Sequence, residues 1–151
     1  MLSAFQKLTA YLNSWLGKKV DYDKAYGNQC VDWAREFARV SAMNPIGTFS
    51  GSAINGWLTG SPFKDTRWKR IAYSVNSYPD SWDIVFFDKT KNNPYGHVAV
   101  VYNADKDSVT VFEQNAWTWT GNGLWANAIS KRNYLYKNAP VGNVVGWYSL
   151  K

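Results

Sequence analysis

The chain has 151 residues and a mass of 17.2 kDa, which is the size of one domain. Its 17 Lys and Arg residues outnumber its 11 Asp and Glu residues, so the net charge is +6. A basic surface favours a nucleic acid, an anionic membrane or an anionic cell-wall polymer as partner, although the same charge also serves solubility alone. The single Cys and the single His, Cys30 and His97, exclude an intrachain disulfide and a zinc site made of Cys and His ligands.

No segment of the sequence predicts membrane insertion or secretion. No apolar run reaches the roughly 18–20 residues that a membrane span requires. The N-terminal stretch MLSAFQKLTAYLNSWLG lacks a basic segment followed by an uninterrupted apolar one, so it does not read as a signal peptide. Because no repeat, linker or low-complexity tract divides the chain, we predict a single domain over residues 1–151.

The first half of the chain predicts helices. Apolar residues at helical spacing indicate a helix over residues 2–16, and Ser3 with Gln6 forms a capping-box pattern at its start. A second helix is predicted to begin near residues 28–30, and a short third helix to cover residues 52–58.

The second half changes to short β-branched and aromatic runs, separated by Asn, Asp, Gly and Pro. These runs predict strands over residues 70–75, 83–88, 97–102, 108–113, 127–134 and 144–150. Helices followed by antiparallel strands indicate an α+β fold, with N-terminal helices packed against a twisted antiparallel sheet of about five or six strands.

Cys30 lies where a polar loop is predicted to turn into the second helix. The positive end of the helix dipole and the free backbone N–H groups favour the thiolate, which is the nucleophilic form of a cysteine. The same N–H groups can stabilise an oxyanion. The alternative is a buried structural cysteine without chemistry.

His97 opens a strand that should pair with the next one across a turn centred on Asp105. In that register His97 lies directly opposite Glu113, and Asn115 follows on the same face of the sheet. A catalytic imidazole needs such a partner to fix its tautomer and orientation. The alternative is a histidine at a strand end that pairs with a cross-strand Glu for packing and solubility alone.

Together these residues follow the chain order of a papain-like cysteine hydrolase: a Cys at a helix start, a His on a strand, and then Glu and Asn. The stretches GNQCVDWAREFA, YGHVAVVYN and VFEQNAW resemble the three signature segments of the CHAP family. These are the cysteine, histidine-dependent amidohydrolases/peptidases of bacteriophage endolysins and bacterial wall hydrolases. The resemblance extends from about residue 21 to the C-terminal strand and implies a papain-like fold.

The resemblance implies a catalytic quartet. Cys30 would be the nucleophile and His97 the general base and then acid, while Glu113 and Asn115 would orient the imidazole and polarise the site. The reaction would be acyl transfer to Cys30 followed by hydrolysis of the thioester. The predicted register favours Glu113 as the partner of His97, and the papain-like analogy favours Asn115. Gln29 is a candidate for the oxyanion hole.

The loop before Cys30 carries a second pattern. Positions 1, 3, 5, 7 and 12 of this loop are Asp21, Asp23, Ala25, Gly27 and Asp32, which is the ligand spacing of an EF-hand loop. The loop departs from that motif because Tyr26 replaces its glycine and Asp replaces its final Glu. Some CHAP endolysins bind calcium in this stretch, so the resemblance implies a structural Ca²⁺ held by Asp side chains and by carbonyl oxygens. Acidic residues that merely complement the helix dipole are the alternative.

Nine Trp residues are a high number for a chain of this length. Trp117, Trp119 and Trp125 follow the predicted catalytic strand and are candidates for the flat walls of a substrate groove. Packing in the core is the alternative for each of them.

The predicted function is that of a peptidoglycan hydrolase that cleaves an amide bond, either as a stem or cross-bridge endopeptidase or as an N-acetylmuramoyl-L-alanine amidase. We expect a monomer that is made in the host cytoplasm and acts, after release, on the peptidoglycan of Gram-positive bacteria, with neither nucleic-acid binding nor membrane insertion nor a separate wall-binding domain. Two alternatives stay open: a non-catalytic, basic, Trp-rich module that binds glycan or nucleic acid, and a cysteine peptidase that acts on proteins.

Overall fold

The computed structural model describes residues 1–25, 27, 29–117, 124–126 and 128–150, with residues 117 and 124–126 described by their backbone alone. The helices are α1 (Ala4–Trp15), α2 (Cys30–Val40) and α3 (Ala53–Thr59), followed by a 3₁₀ turn at Ser61–Phe63. The strands are β1 (Lys69–Ala72), β2 (Ile84–Phe87), β3 (His97–Ala104), β4 (Ser108–Glu113), β5 (Ala116–Trp117), β6 (Leu124–Ala126), β7 (Ser130–Leu135) and β8 (Val144–Ser149).

The helices lie where the sequence predicts them. The capping box of α1 is present, because the backbone N–H of Gln6 donates to Ser3 Oγ at 3.1 Å and that of Ser3 donates to Gln6 Oε1 at 2.8 Å. Leu8 and Leu12 bury the inner face of α1 against the core. Within the described residues, no helix has the length and apolar character that crossing a bilayer requires.

Six strands form one antiparallel sheet in the order β1-β8-β2-β3-β4-β7. Each predicted strand contributes one of them, which confirms the α+β fold of helices against a six-stranded antiparallel sheet. The remaining strands, β5 and β6, pair with each other in a separate two-stranded sheet.

The sheet is strongly curved and has a core on each side. Tyr73, after edge strand β1, stacks on Tyr136, after the opposite edge strand β7, with ring centroids 5.2 Å apart. In a flat sheet five strand spacings would separate these edges by roughly 24 Å. The sheet therefore curls so that its edges approach, with one core inside the curve and the other between the sheet and the helices.

Alternate residues of each central strand point to these two cores. On β3, Val98 and Val100 pack towards the helices, whereas Ala99 and Val101 pack inside the curve. The alternation places the side chain of His97, the first residue of β3, on the inside.

The register between β3 and β4 differs from the prediction. Val100 faces Phe112, two residues further along β4 than a turn centred on Asp105 would give. The turn lies later because the Asp105 carboxylate accepts hydrogen bonds from the backbone N–H groups of Asp107 and Ser108, at 2.8 and 2.9 Å. A bulge follows between Val101 and Asn103. The predicted direct opposition of residues 97 and 113 is therefore wrong, but a shift of two residues keeps both side chains on one face.

Candidate active site

The thiol of Cys30 is held at the first residue of α2, with Gln29 as the N-cap. Helix α2 packs on the sheet through Trp33, whose indole N–H donates to the backbone oxygen of Phe112 on β4 at 2.9 Å. Trp33 is fully buried, whereas Cys30 is partly exposed. The helix is therefore fixed on the sheet while the thiol at its N-terminus stays accessible.

The imidazole of His97 is bonded to Glu113. His97 Nε2 lies 3.2 Å from Glu113 Oε1, and the side chains are 1% and 0% exposed, respectively. Gly96 precedes the histidine with φ +68°, and a Cβ there would lie 2.7 Å from Ile54 Cβ and 2.9 Å from the Phe87 oxygen. Only glycine fits this turn, so the chain enters β3 in a conformation that places His97 at the end of the sheet.

Burial alone would lower the pKa of His97, but Cys30 and then Glu113 outweigh it and raise the pKa to about 10. Both neighbouring groups favour the imidazolium, which is the charged form of the ring. The second ring nitrogen, Nδ1, has no hydrogen-bond partner among the described residues. One nitrogen of the ring is thus bonded to Glu113, and the other is left for a further partner.

Tyr134, on β7, contacts the far side of the Glu113 carboxylate. Its hydroxyl lies 2.8 Å from Oε1 and 2.5 Å from Oε2. The Phe87 ring packs against both Tyr134 and His97, with centroid distances of 5.6 and 5.7 Å. A buried carboxylate requires partners for its charge, and this group supplies them inside the curve of the sheet.

Gln114 links the end of β4 to the chain that leads to Cys30. Its fully buried amide group donates to the backbone oxygens of Val20 and Gln29, both at 2.8 Å, and accepts from the N–H of Val20 at 2.8 Å. One side chain therefore fixes both ends of the loop before α2. Because Glu113 is the preceding residue, the end of β4 holds both the partner of the His97 imidazole and the loop before Cys30.

A cleft of about 1020 Å³ opens beside Cys30. Its lining includes Gln29, Asn115, Arg35, Phe49 and Tyr95. Asn115 has φ +59° and lies in the cleft wall. In the structure the hydrogen-bond partner of His97 is Glu113, which is the partner that the predicted register favoured.

The side chains of the predicted groove tryptophans lie outside the described part of the structure. Trp119 lies outside the described residues, and for Trp117 and Trp125 the structure gives only their places in β5 and β6. Among the described aromatic side chains, those of Phe49 and Tyr95 line the cleft.

The acidic loop brings three carboxylates together. One oxygen each of Asp21, Asp23 and Asp32 lies within 4.8 Å of the others. Asp32 is buried and accepts hydrogen bonds from the N–H groups of Tyr22 and Gln29, at 3.1 and 2.8 Å. Desolvation, with the charges of Asp23 and Asp21 as further causes, raises the pKa of Asp32 against these two hydrogen bonds.

The geometry of this loop fits a hard cation. Asp21 Oδ1 is buried without a hydrogen-bond partner among the described residues. Asp23 accepts from the Ala25 N–H at 3.0 Å and lies 3.5 Å from Arg35. Ala25 and Gly27 lie in the same loop between the acidic residues, and backbone carbonyl oxygens such as theirs are a kind of ligand that Ca²⁺ accepts.

Sequence reasoning missed two residues of this region, Tyr134 and Gln114. Their bonds join positions that are distant in the chain, so spacing cannot reveal them. A signal exists for Gln114: it follows Phe112 on the helix-facing side of the strand, where a polar side chain requires buried partners. For Tyr134 the only signal is an aromatic side chain with a polar tip at an inward-facing strand position.

Comparison with known proteins places these features in a family. The family model described as CHAP domain matches residues 18–115, which include the loop, the thiol and the imidazole. Among curated proteins, the chain is 28% identical over 137 residues to "Probable autolysin PH" of Staphylococcus aureus (strain NCTC 8325 / PS 47), covering 87% of this chain and 26% of that protein. It is 26% identical over 137 residues to "Endolysin PlyTW" of Staphylococcus phage Twort, covering 85% and 27%. The chain thus spans about a quarter of the length of these relatives.

Solved structures share the fold at low sequence identity. The crystal structure of endolysin LysIME-EF1 has a TM-score of 0.65 at 20% identity and covers 99% of this chain, which covers 64% of that one. The structure of Ly7917 has a TM-score of 0.62 at 20% identity, with coverages of 98% and 62%. The family match, over most of the chain and across the Cys, His and Glu segments, establishes that this protein belongs to the CHAP domain family.

Proposed function

We propose that the protein is a peptidoglycan hydrolase that cleaves an amide bond with Cys30 as nucleophile. The observation that carries this proposal is the arrangement of an accessible thiol at a helix N-terminus and an imidazole bonded to a buried carboxylate, beside a cleft of about 1020 Å³. These are the parts that acyl transfer through a thiol requires. Membership of the CHAP family, together with an autolysin and an endolysin as relatives, supports the substrate class.

In the first step the Cys30 thiolate attacks the carbonyl carbon of the amide. The helix N-terminus and the charge of the His97 imidazolium stabilise the thiolate. As the tetrahedral intermediate collapses, the C–N bond breaks and His97 Nδ1 gives its proton to the leaving amine. The product is a thioester on Cys30, and Glu113 holds the ring through Nε2 during the transfer.

In the second step water hydrolyses the thioester. Neutral His97 removes a proton from the water as its oxygen attacks the acyl carbon, and the tetrahedral intermediate collapses with breaking of the C–S bond. The carboxylic acid product leaves, and the Cys30 thiolate is regenerated beside the His97 imidazolium. The backbone N–H groups at the start of α2 face the oxyanion, with Gln29 as an additional donor and Asn115 as a polar group of the cleft wall. The enzyme is thereby restored.

The substrate would be the peptidoglycan of Gram-positive bacteria, reached after release from the cell that makes the protein. Both relatives named above come from Staphylococcus or one of its phages, and a net charge of +6 suits a wall that carries anionic polymers. The bond would be a stem or cross-bridge peptide bond or the N-acetylmuramoyl-L-alanine amide.

We also propose that the loop before α2 binds Ca²⁺. Asp21, Asp23 and Asp32 would supply carboxylate oxygens, and Ala25 and Gly27 would supply carbonyl oxygens. The support is the close approach of three carboxylates and the unpartnered, buried Asp21 Oδ1. The ion would neutralise these charges and hold the loop to the helix of the nucleophile.

The test is a comparison of wild type with Cys30→Ser on purified Gram-positive cell walls. We expect wild type to clear the suspension and Cys30→Ser to leave it turbid while keeping the circular dichroism spectrum and melting temperature of wild type. Clearing by the variant at the wild-type rate would overturn the proposal. Mass spectrometry of the fragments that wild type releases identifies the bond.

A further inference from the structure

We propose that Tyr134 is a positioning residue of the catalytic site: it holds the Glu113 carboxylate in the orientation that His97 requires. The inference rests on the proposed function, because it concerns the same thiol and imidazole. Among the described residues, the buried carboxylate of Glu113 has two hydrogen-bond donors, the ring of His97 and the hydroxyl of Tyr134.

Glu113 needs a second donor because its side chain is 0% exposed. A buried carboxylate without hydrogen bonds is costly, and it relaxes by rotating or by taking up a proton. Either response would weaken the bond to His97 Nε2, since that bond depends on the position and charge of Oε1. The Tyr134 hydroxyl lies within hydrogen-bond distance of both carboxylate oxygens and so holds the carboxylate in place.

The Tyr134 hydroxyl is a fixed donor. Burial, followed by the charge of Glu113, raises the pKa of Tyr134 far above its ordinary value, so the hydroxyl keeps its proton. The ring is 4% exposed and packs edge-on against Phe87, which in turn contacts the His97 ring. The three rings thus enclose the carboxylate on the inner side of the sheet.

Tyr134 acts through Glu113 rather than on the substrate. The described lining of the cleft contains Cys30 and Asn115 but not Tyr134. Its backbone pairs with Val109, four residues before Glu113 on β4, so only its side chain reaches the site. A loss of the hydroxyl should therefore change the rate of the chemical step and leave substrate binding unaltered.

Tyr136 provides a matched control for this test. It is 3% exposed, lies two residues further on, and packs in the same inner core. Its hydroxyl donates to the backbone oxygens of Asp105 and Ser108, at 2.6 and 3.3 Å, in the turn between β3 and β4. Tyr134→Phe and Tyr136→Phe each remove one buried hydroxyl, but only the first removes it from Glu113.

The experiment measures kcat and KM of wild type, Tyr134→Phe and Tyr136→Phe on soluble peptidoglycan fragments, with the rate of iodoacetamide alkylation of Cys30 as a second readout. We expect Tyr134→Phe to lower kcat about tenfold at unchanged KM and to slow alkylation, because orienting groups of this kind contribute on that scale. Tyr136→Phe should keep the kcat and the alkylation rate of wild type. Wild-type kcat and alkylation rate in Tyr134→Phe, or equal losses in both variants, would overturn the inference.

A double-mutant cycle with Glu113→Gln tests the route by which Tyr134 acts. Because Tyr134 acts through Glu113, its substitution should cost no further kcat in the Glu113→Gln background. An additional tenfold loss there would show that the hydroxyl acts by another route and would contradict the inference. Failure of wild type to hydrolyse the fragments at all, or full activity of Cys30→Ser, would instead count against the proposed function.

Discussion

The two halves of the candidate site differ in how the fold holds them. The imidazole half, His97 with Glu113 and Tyr134, is buried inside the curved sheet, and the hydrogen bonds of Glu113 to His97 and Tyr134 join strand residues. The thiol half lies at the start of a helix, after a loop that carries three carboxylates and borders the cleft.

This difference separates what packing secures from what it leaves to other interactions. Strand positions in a close-packed interior move little, so the orientation of His97 is a property of the folded sheet. The loop before Cys30 has neighbouring like charges instead, and it depends on the hydrogen bonds of Gln114 and, in our proposal, on a bound cation. Substitutions in the imidazole half should therefore change the rate of the chemical step. Substitutions in the thiol half should change the fraction of molecules in which Cys30 is correctly placed.

The largest effect is expected from Glu113→Gln. The substitution removes the charge that holds the His97 imidazolium, and activity should fall at least about a hundredfold, as in other sites where the partner of a catalytic histidine is lost. The measurement is the initial rate of wall clearing. As a control, Glu36→Gln removes a carboxylate on α2 that pairs with Arg39 at 2.9 Å, and it should leave the rate unchanged. Equal rates for wild type and Glu113→Gln would remove the proposed difference between the halves.

The second prediction concerns the cation. Treatment with a chelator should lower activity about tenfold, and Ca²⁺ should restore it while Mg²⁺ does not, because Mg²⁺ demands a tighter octahedral site. Asp21→Asn should abolish the heat of Ca²⁺ binding in calorimetry, whereas Asp107→Asn, at the turn between β3 and β4, should keep it. Absence of a binding heat in chelator-treated wild type would contradict the calcium proposal.

The third prediction concerns Gln114 as the connection between the halves. Gln114→Met keeps the length of the side chain but leaves the N–H of Val20 and the carbonyls of Val20 and Gln29 without this partner. The free energy of unfolding should fall by about 2 kcal/mol, which urea titration measures. Gln6→Met, which loses only an exposed capping bond, should cost less than about 1 kcal/mol. If both variants lose the same stability, Gln114 is not a special link.

The fourth prediction concerns the dependence of activity on pH, and it has the smallest effect on the rate at neutral pH. Transfer to the leaving amine needs protonated His97, so activity should persist into the alkaline range and fall as the pH rises through about 10. Because Glu113 helps to raise the pKa of His97, the alkaline limb of Glu113→Gln should lie at lower pH. The residual rate of that variant, recorded against pH at constant ionic strength, checks the shift. An unshifted limb would mean that Glu113 does not hold the imidazole charge.

The sequence predicts the local features of this molecule better than its contacts between distant residues. The helices, the six strands of the main sheet and the capping box of α1 follow from periodicity and turn residues, which are local signals. The predicted register of the β3–β4 hairpin differs from the observed one by two residues, because Asp105 lies at the start of the turn and not at its centre. The pairing of His97 with Glu113 was still anticipated, because the period of a strand is two and an even shift keeps the face.

The contacts of Tyr134 and Gln114 could not be predicted in the same way. Each joins elements that only the closed sheet brings together: β7 with β4 for the first, and the loop before α2 with the end of β4 for the second. No periodic pattern of residues predicts the curvature of the sheet. That curvature brings inward-facing side chains of different strands into contact.

The central claim is that His97 is held as an imidazolium between Cys30 and Glu113, and its pKa is the most direct test. Because the chain has a single histidine, one ring resonance in a proton–carbon NMR spectrum reports this group without assignment. We predict a titration midpoint far above the ordinary value of about 6.5, at about 10 in wild type. A midpoint at or below the ordinary value would contradict the account, because the buried ring would then be neutral at the pH where the enzyme is proposed to act.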